Sequence, residues 1–150
     1  MEKQDKLLRR RPDLKMRYEL TEADNKPVVR FIIENTGTGS LSAGDAYFHL
    51  WLPAELAVER LRSEGDNSPG ERQETTDDGA RKWRGFRGVI SGPIFPMRPS
   101  DFITCVLREE PRSGSFEVLY AFSTAYGVFP NPEGGMERLE VKLQNNRAKP

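Results

Sequence analysis

Residues 26–52, KPVVRFIIENTGTGSLSAGDAYFHLWL, constrain the fold more than any other stretch. Val28, Val29, Phe31, Ile32 and Ile33 leave few polar positions, which is the pattern of a strand lying centrally in its sheet. Asn35-Thr36-Gly37-Thr38-Gly39 follows as turn chemistry, because glycine accepts positive φ and asparagine tolerates the left-handed region. The chain then alternates. Ala46, Phe48, Leu50 and Leu52 point one way, Tyr47, His49 and Trp51 the other, and Pro53 stops the run. A strand, a polar loop and a second strand commit this region to sheet.

The same period of two recurs on either side. Leu14, Met16, Tyr18 and Leu20 oppose Lys15, Arg17 and Glu19, and Asp24-Asn25 with Pro27 makes a hairpin-like connection to the next strand. Residues 82–90, 101–108, 116–123 and 136–143 carry further strand patterns. Gly85 and Gly88 predict a bulge or a close backbone approach in the first of these. Residues 101–108 are apolar on both faces and so central. In 136–143, Leu139, Val141 and Leu143 face in while Arg138, Glu140 and Lys142 face out. Over residues 54–61 the spacing of Leu56/Ala57 and Arg60/Leu61 allows a short helix, and Ala57-Val58 allows an edge strand instead. Pro93, Pro96 and Pro99 make residues 91–100 an extended crossover. About seven strands without βαβ alternation predict an all-β sandwich or barrel and argue against a nucleotide-binding α/β fold.

One domain is expected over residues 13–143, after a basic lead-in or linker at 1–12 and before a disordered tail at 144–150. Residues 63–80, SEGDNSPGERQETTDDGA, lack any large apolar side chain and are expected to form a mobile acidic loop. The 23 Lys and Arg residues balance 23 Asp and Glu, so the whole chain has no bias toward nucleic acid or an anionic membrane. Cys105 is the one cysteine, which precludes an intrachain disulfide and fits a reducing compartment. The N-terminus has no apolar h-region, and no apolar run approaches the roughly 20 residues of a membrane span. A cytoplasmic location with no membrane partner is expected.

A resemblance sharpens the fold expectation. Residues 28–53, VVRFIIENTGTGSLSAGDAYFHLWLP, resemble the second and third strands of bacterial immunoglobulin-like domains of the cell-adhesion-related group, with an apolar strand ending in Asn-x-Gly, a small-residue loop and an alternating strand. PMRPSDFITCVLR resembles their turn before the next core strand, with Ser100-Asp101 where Gly-Glu is usual. SFEVLYAFST and MERLEVKL resemble the closing hairpin. The resemblance implies an immunoglobulin-like sandwich of about seven antiparallel strands that carries no catalytic residues and serves as a protein-binding, spacer or accessory module. The long acidic insert departs from the family's compact pattern. KLLRRRPDLKMRYEL is similar to the start of a C-terminal β-domain that follows a linker in a multidomain bacterial protein.

Few residues could carry chemistry. His49 is the sole histidine, so a multi-histidine metal site is impossible within one chain, and it is either structural or a lone general base. Cys105 lies mid-strand among apolar residues, as an inert buried thiol or as a nucleophile paired with His49 inside a sheet. Asp66, Asp77 and Asp78 lack the spacing of a calcium loop, and no phosphate-cradling Gly-Lys motif is present, so no metal or cofactor is expected.

Two candidate surfaces remain. Tyr47, His49 and Trp51 share one strand face and would form a recognition stripe if exposed, although a third-strand tryptophan commonly fills a sandwich core. A sheet face or edge would then take a partner protein or a second copy. Arg81, Lys82, Trp83, Arg84 and Arg87, with Arg98 beyond, form a basic-aromatic segment suited to nucleic acid, unless these arginines pair with the acidic insert before them. The expectation is a non-enzymatic interaction or accessory module, with nucleic-acid binding through 81–98 as the alternative and a hydrolase using His49 and Cys105 as a distant third.

Overall fold

The computed structural model describes residues 12–42, 44, 46–63, 70–72, 82–90, 93–96, 99–131 and 135–143. The lead-in, the tail and most of the acidic insert fall outside the described residues. Ten strands run in order: β1 Leu14–Ala23, β2 Lys26–Asn35, β3 Ala46–Pro53, β4 Val58–Ser63, β5 Gly70–Arg72, β6 Trp83–Ile90, β7 Pro99–Leu107, β8 Ser115–Thr124, β9 Gly127–Phe129 and β10 Glu137–Lys142. They form two antiparallel sheets, one ordered β1-β2-β7-β4 and the other β10-β8-β3-β6-β5, with β9 paired to β8. The chain is an all-β sandwich.

All seven strands expected from alternation are present. β2 and β7 are both internal in the four-stranded sheet, as their double-sided apolar patterns require. Three strands are additional. The 54–61 segment is a turn followed by β4, an edge strand and not a helix, because its backbone pairs with β7 from Val58 to Ser63. Tertiary pairing overrides the weak helical spacing there. β5 forms inside the stretch expected to be loop, and β9 inside the loop after β8.

β1 and β2 meet through a two-residue turn. Asp24 (φ 53°) and Asn25 (φ 66°) both take positive φ, as the primed hairpin turn demands. At the other end of β2, Asn35 is buried and fully engaged. Its Oδ1 accepts the backbone N–H groups of Asp13 (3.1 Å) and Gly37 (2.9 Å), and its Nδ2 donates to the Gly39 carbonyl (2.7 Å). The Asn-Thr-Gly motif therefore clamps the start of the loop that carries the chain from one sheet to the other. The turn is held by the asparagine side chain, and positive φ occurs instead at Gly44, Gly114 and Gly127 among the described glycines.

The core lies between the sheets. Leu14, Met16, Val29, Phe31, Ile33, Ile103, Cys105 and Leu107 from one sheet meet Ala46, Phe48, Leu50, Leu52, Phe86, Ile90, Val118, Tyr120 and Phe122 from the other. β6 pairs with β3 in unbroken register, so the bulge allowed by its glycines is not formed. Gly88 instead permits close approach: a Cβ there would sit 2.5 Å from Phe48 Cε2 and 2.7 Å from Cζ. The sheets also touch along one side, where the Lys142 N–H donates to the Tyr18 hydroxyl (3.1 Å).

Candidate functional site

The register of β3 decides where its odd-numbered residues go. Ala46, Phe48, Leu50 and Leu52 are all buried in the core between the sheets. Period two then sends Tyr47, His49 and Trp51 to the outer face. Trp51 is half-buried on that face and absent from the inter-sheet core, which corrects the expectation that it fills the sandwich. Four even-numbered apolar side chains already occupy the inward positions.

Neighbouring strands complete the surface. Across β3, Val89–Tyr47–Ser123, Arg87–His49–Ala121 and Gly85–Trp51–Leu119 form three successive rows. Tyr47 is 39% exposed and Val89 38%, and they stand directly opposite each other. The His49 and Trp51 rings stack with centroids 5.8 Å apart and planes 14° apart. The Arg87 guanidinium lies over the Tyr47 ring at 5.3 Å. His49 Nε2 and Ser123 Oγ are 3.2 Å apart. Ser123 escaped sequence reasoning because 74 residues separate it from His49; only the β3–β8 pairing brings them together.

The basic-aromatic segment is divided by the same alternation. Arg87 and Lys82 are exposed, whereas Trp83 is 2% exposed and offers no face for a base to stack on. Arg84 pairs in register with Leu52 and lies on the core side, its guanidinium 5.6 Å from the Phe86 ring centroid. Strand geometry puts successive residues on opposite faces, so this run of cations makes no single surface. Arg81 and Arg98 fall outside the described residues.

A His49–Cys105 dyad is excluded by position. Cys105 points into the core from β7, in the opposite sheet to His49 and on the other side of the β3 backbone. Burial pushes its thiol up to about 12, with the charge of Arg84 acting weakly the other way. It remains a thiol and not a nucleophile.

A cleft of about 430 Å³ opens at one end of the sandwich, between the turn after β3 and the turn before β8. Pro53, Leu56 and Phe116 give it an apolar lining, and Glu55, Glu109 and Glu110 are exposed beside it. Among the described residues no group of three or more His, Cys, Asp or Glu side chains is placed to hold a metal ion. No helix of the described residues is long and apolar enough to cross a membrane.

No protein-family model matches the chain, and no curated protein matches it.

Proposed function

We propose that the chain is a non-enzymatic protein-interaction module of immunoglobulin-like type, a cytoplasmic accessory domain that binds a partner through the outer face of β3 and β6. The observation that carries this reading is the direct pairing of exposed Tyr47 with exposed Val89, flanked by the His49–Trp51 stack and by Arg87. Tyrosine, tryptophan and arginine are the side chains that most often dominate binding energy, and adjacent exposed apolar groups are the part of a surface that gains most from being covered. The partner that fits is a protein segment with apolar side chains for Tyr47 and Val89 and a carboxylate for Arg87.

The strand order supports the immunoglobulin-like part. β1-β2-β7-β4 against β10-β8-β3 corresponds to the ABED and GFC sheets of that architecture. Two features differ from the usual form: β4 precedes β6 in the chain, and Trp51 on the third strand faces out.

Selection of a random displayed-peptide library on the purified chain tests the proposal. Enriched peptides should combine aliphatic or aromatic residues with Asp or Glu, and Tyr47→Ala or Arg87→Glu should each weaken them by about tenfold. Peptides unaffected by both substitutions, or no enrichment, would refute it. A dimer in light scattering that Tyr47→Asp dissolves would replace the partner protein with a second copy.

A further inference from the structure

The cleft at the end of the sandwich belongs to neither outer sheet face. It lies between the turn that leaves β3 and the turn that leads into β8, and its volume of about 430 Å³ is within the range of about 300–1,000 Å³ usual for small-molecule sites. Its floor is apolar. Pro53 ends β3, Leu56 is 6% exposed in the turn that follows, and Phe116 is 8% exposed near the start of β8. Leu56 and Phe116 belong to the inter-sheet core, so packed side chains back the floor. Half-buried Ala57 and Pro111 extend the apolar lining up the two walls.

The backbone of both walls is already engaged. The Leu56 N–H donates to the Pro53 carbonyl (3.0 Å), Val58 to Leu56 (3.0 Å), Arg108 to Ala57 (2.8 Å) and Gly114 to Pro111 (2.9 Å). Those bonds occupy carbonyls that an added peptide strand would need, so recognition in the cleft falls to side chains. Four carboxylates and one guanidinium line it: Glu55, Glu109, Glu110 and Glu117, with Arg112. Glu117 pairs with Arg138 at 3.6 Å and Glu110 is engaged as well. Exposed Glu55 on one wall and exposed Glu109 on the other therefore set the charge, against Arg112. Arg108, beside Glu109 in the chain, does not line the cleft; its charge reaches Glu59 of β4, whose carboxyl is lowered first by the bond with Lys26.

We infer that this cleft binds a small organic cation, an amine carried on an aromatic or aliphatic body. The body covers Leu56 and Phe116, which gain most from leaving water. The ammonium stays at the mouth, where Glu55 and Glu109 favour a positive charge and solvent keeps the amine protonated. An anionic ligand of the same shape meets two carboxylates for one guanidinium and is disfavoured.

Nitrogen–proton correlation NMR with phenylbutylamine tests the inference, with phenylbutanol and phenylbutyrate as matched neutral and anionic probes. The amine should move the amide signals of Leu56, Ala57 and Phe116 and approach saturation by about 10 mM. The alcohol should bind about threefold and the acid about tenfold more weakly. Glu55→Gln/Glu109→Gln should weaken the amine by about tenfold and leave the alcohol within about twofold. Glu19→Gln/Glu22→Gln on β1 removes as much charge away from the cleft and should leave the amine within about twofold. Arg112→Gln removes the competing cation and should strengthen amine binding by about twofold. No shift at about 10 mM, equal affinities for the three probes, or equal losses in the two glutamine pairs would each overturn it. So would a peptide of alternating lysine and leucine that moves the same signals at about a tenth of that concentration, which would transfer the cleft to a protein partner.

Discussion

The two sheets turn unlike surfaces to solvent. One shows rings: Tyr47, His49 and Trp51 on a single strand, with Val89 and Arg87 beside them. The other shows arginine heads above buried aliphatic side chains. Both share one core and one backbone geometry, so the difference lies wholly in what the outward positions carry. In the ring-bearing face, cohesion comes from stacking and apolar contact, which salt hardly touches. In the arginine face it comes from charge, which salt screens over about 10 Å.

The comparison rests on the parity of β3, and charge placed on either side of that strand is the strongest way to break it. Leu50→Asp buries a carboxylate in the core and should cost more than about 4 kcal/mol, leaving no cooperative thermal transition. Tyr47→Asp should cost less than about 1 kcal/mol in the same calorimetric scan. Similar effects from the two would mean the outer and inner faces are misassigned.

Asn35 tests whether the crossing between sheets is held where its hydrogen bonds place it. Asn35→Ala removes three bonds from a buried site and should lower stability by about 2–4 kcal/mol in urea denaturation. Asn35→Asp should recover part of that loss, since it keeps an acceptor for the two N–H groups.

Gly88→Ala sharpens the contrast within β6. It drives a methyl into the Phe48 ring and should cost about 1–3 kcal/mol, whereas Val89→Ala one residue away should cost under about 1 kcal/mol.

The smallest effect is confined to alkaline pH. The Cys105 thiol ionises near 9.0 in the unfolded chain and near 12 in the fold. Between those values the unfolded state loses a proton that the folded state keeps. The thiol's contribution is therefore whole below pH 9 and is lost as pH climbs toward 12. Tyr120, raised chiefly by burial, acts in the same direction. Cys105→Val should cost under about 1.5 kcal/mol at pH 7 and flatten part of the alkaline decline in denaturation midpoints.

Much of the sandwich was legible from its alternation. β1, β3, β8 and β10 each carry one clean apolar stripe, and β2 and β7 are apolar on both sides because they are flanked on both edges. β4, β5 and β9 were not legible in the same way. VERLRS carries four charged or polar residues in six, and GER and GVF are too short for any period to show. Their strand character comes from the partner, not the local sequence. The direction of Trp51 was undecidable from the chain because the rings of Tyr47, His49 and Trp51, opposite the stripe, suit a core as well as a surface. The cationic run at 81–87 was visible as a run, yet alternation splits it. The arginine face was invisible for the converse reason: Arg17, Arg30 and Arg62 are scattered along the chain and are gathered only by the β1–β2–β7–β4 pairing.

Asn35 holds the N–H of Asp13, ahead of β1, and the N–H of Gly37, behind β2. The β1–β2 hairpin is thereby closed at its open end by a side chain, as its two-residue turn closes it at the other. β1 cannot peel from the sheet edge without first breaking that closure, so its amide hydrogens should exchange together with those of β2 and not ahead of them.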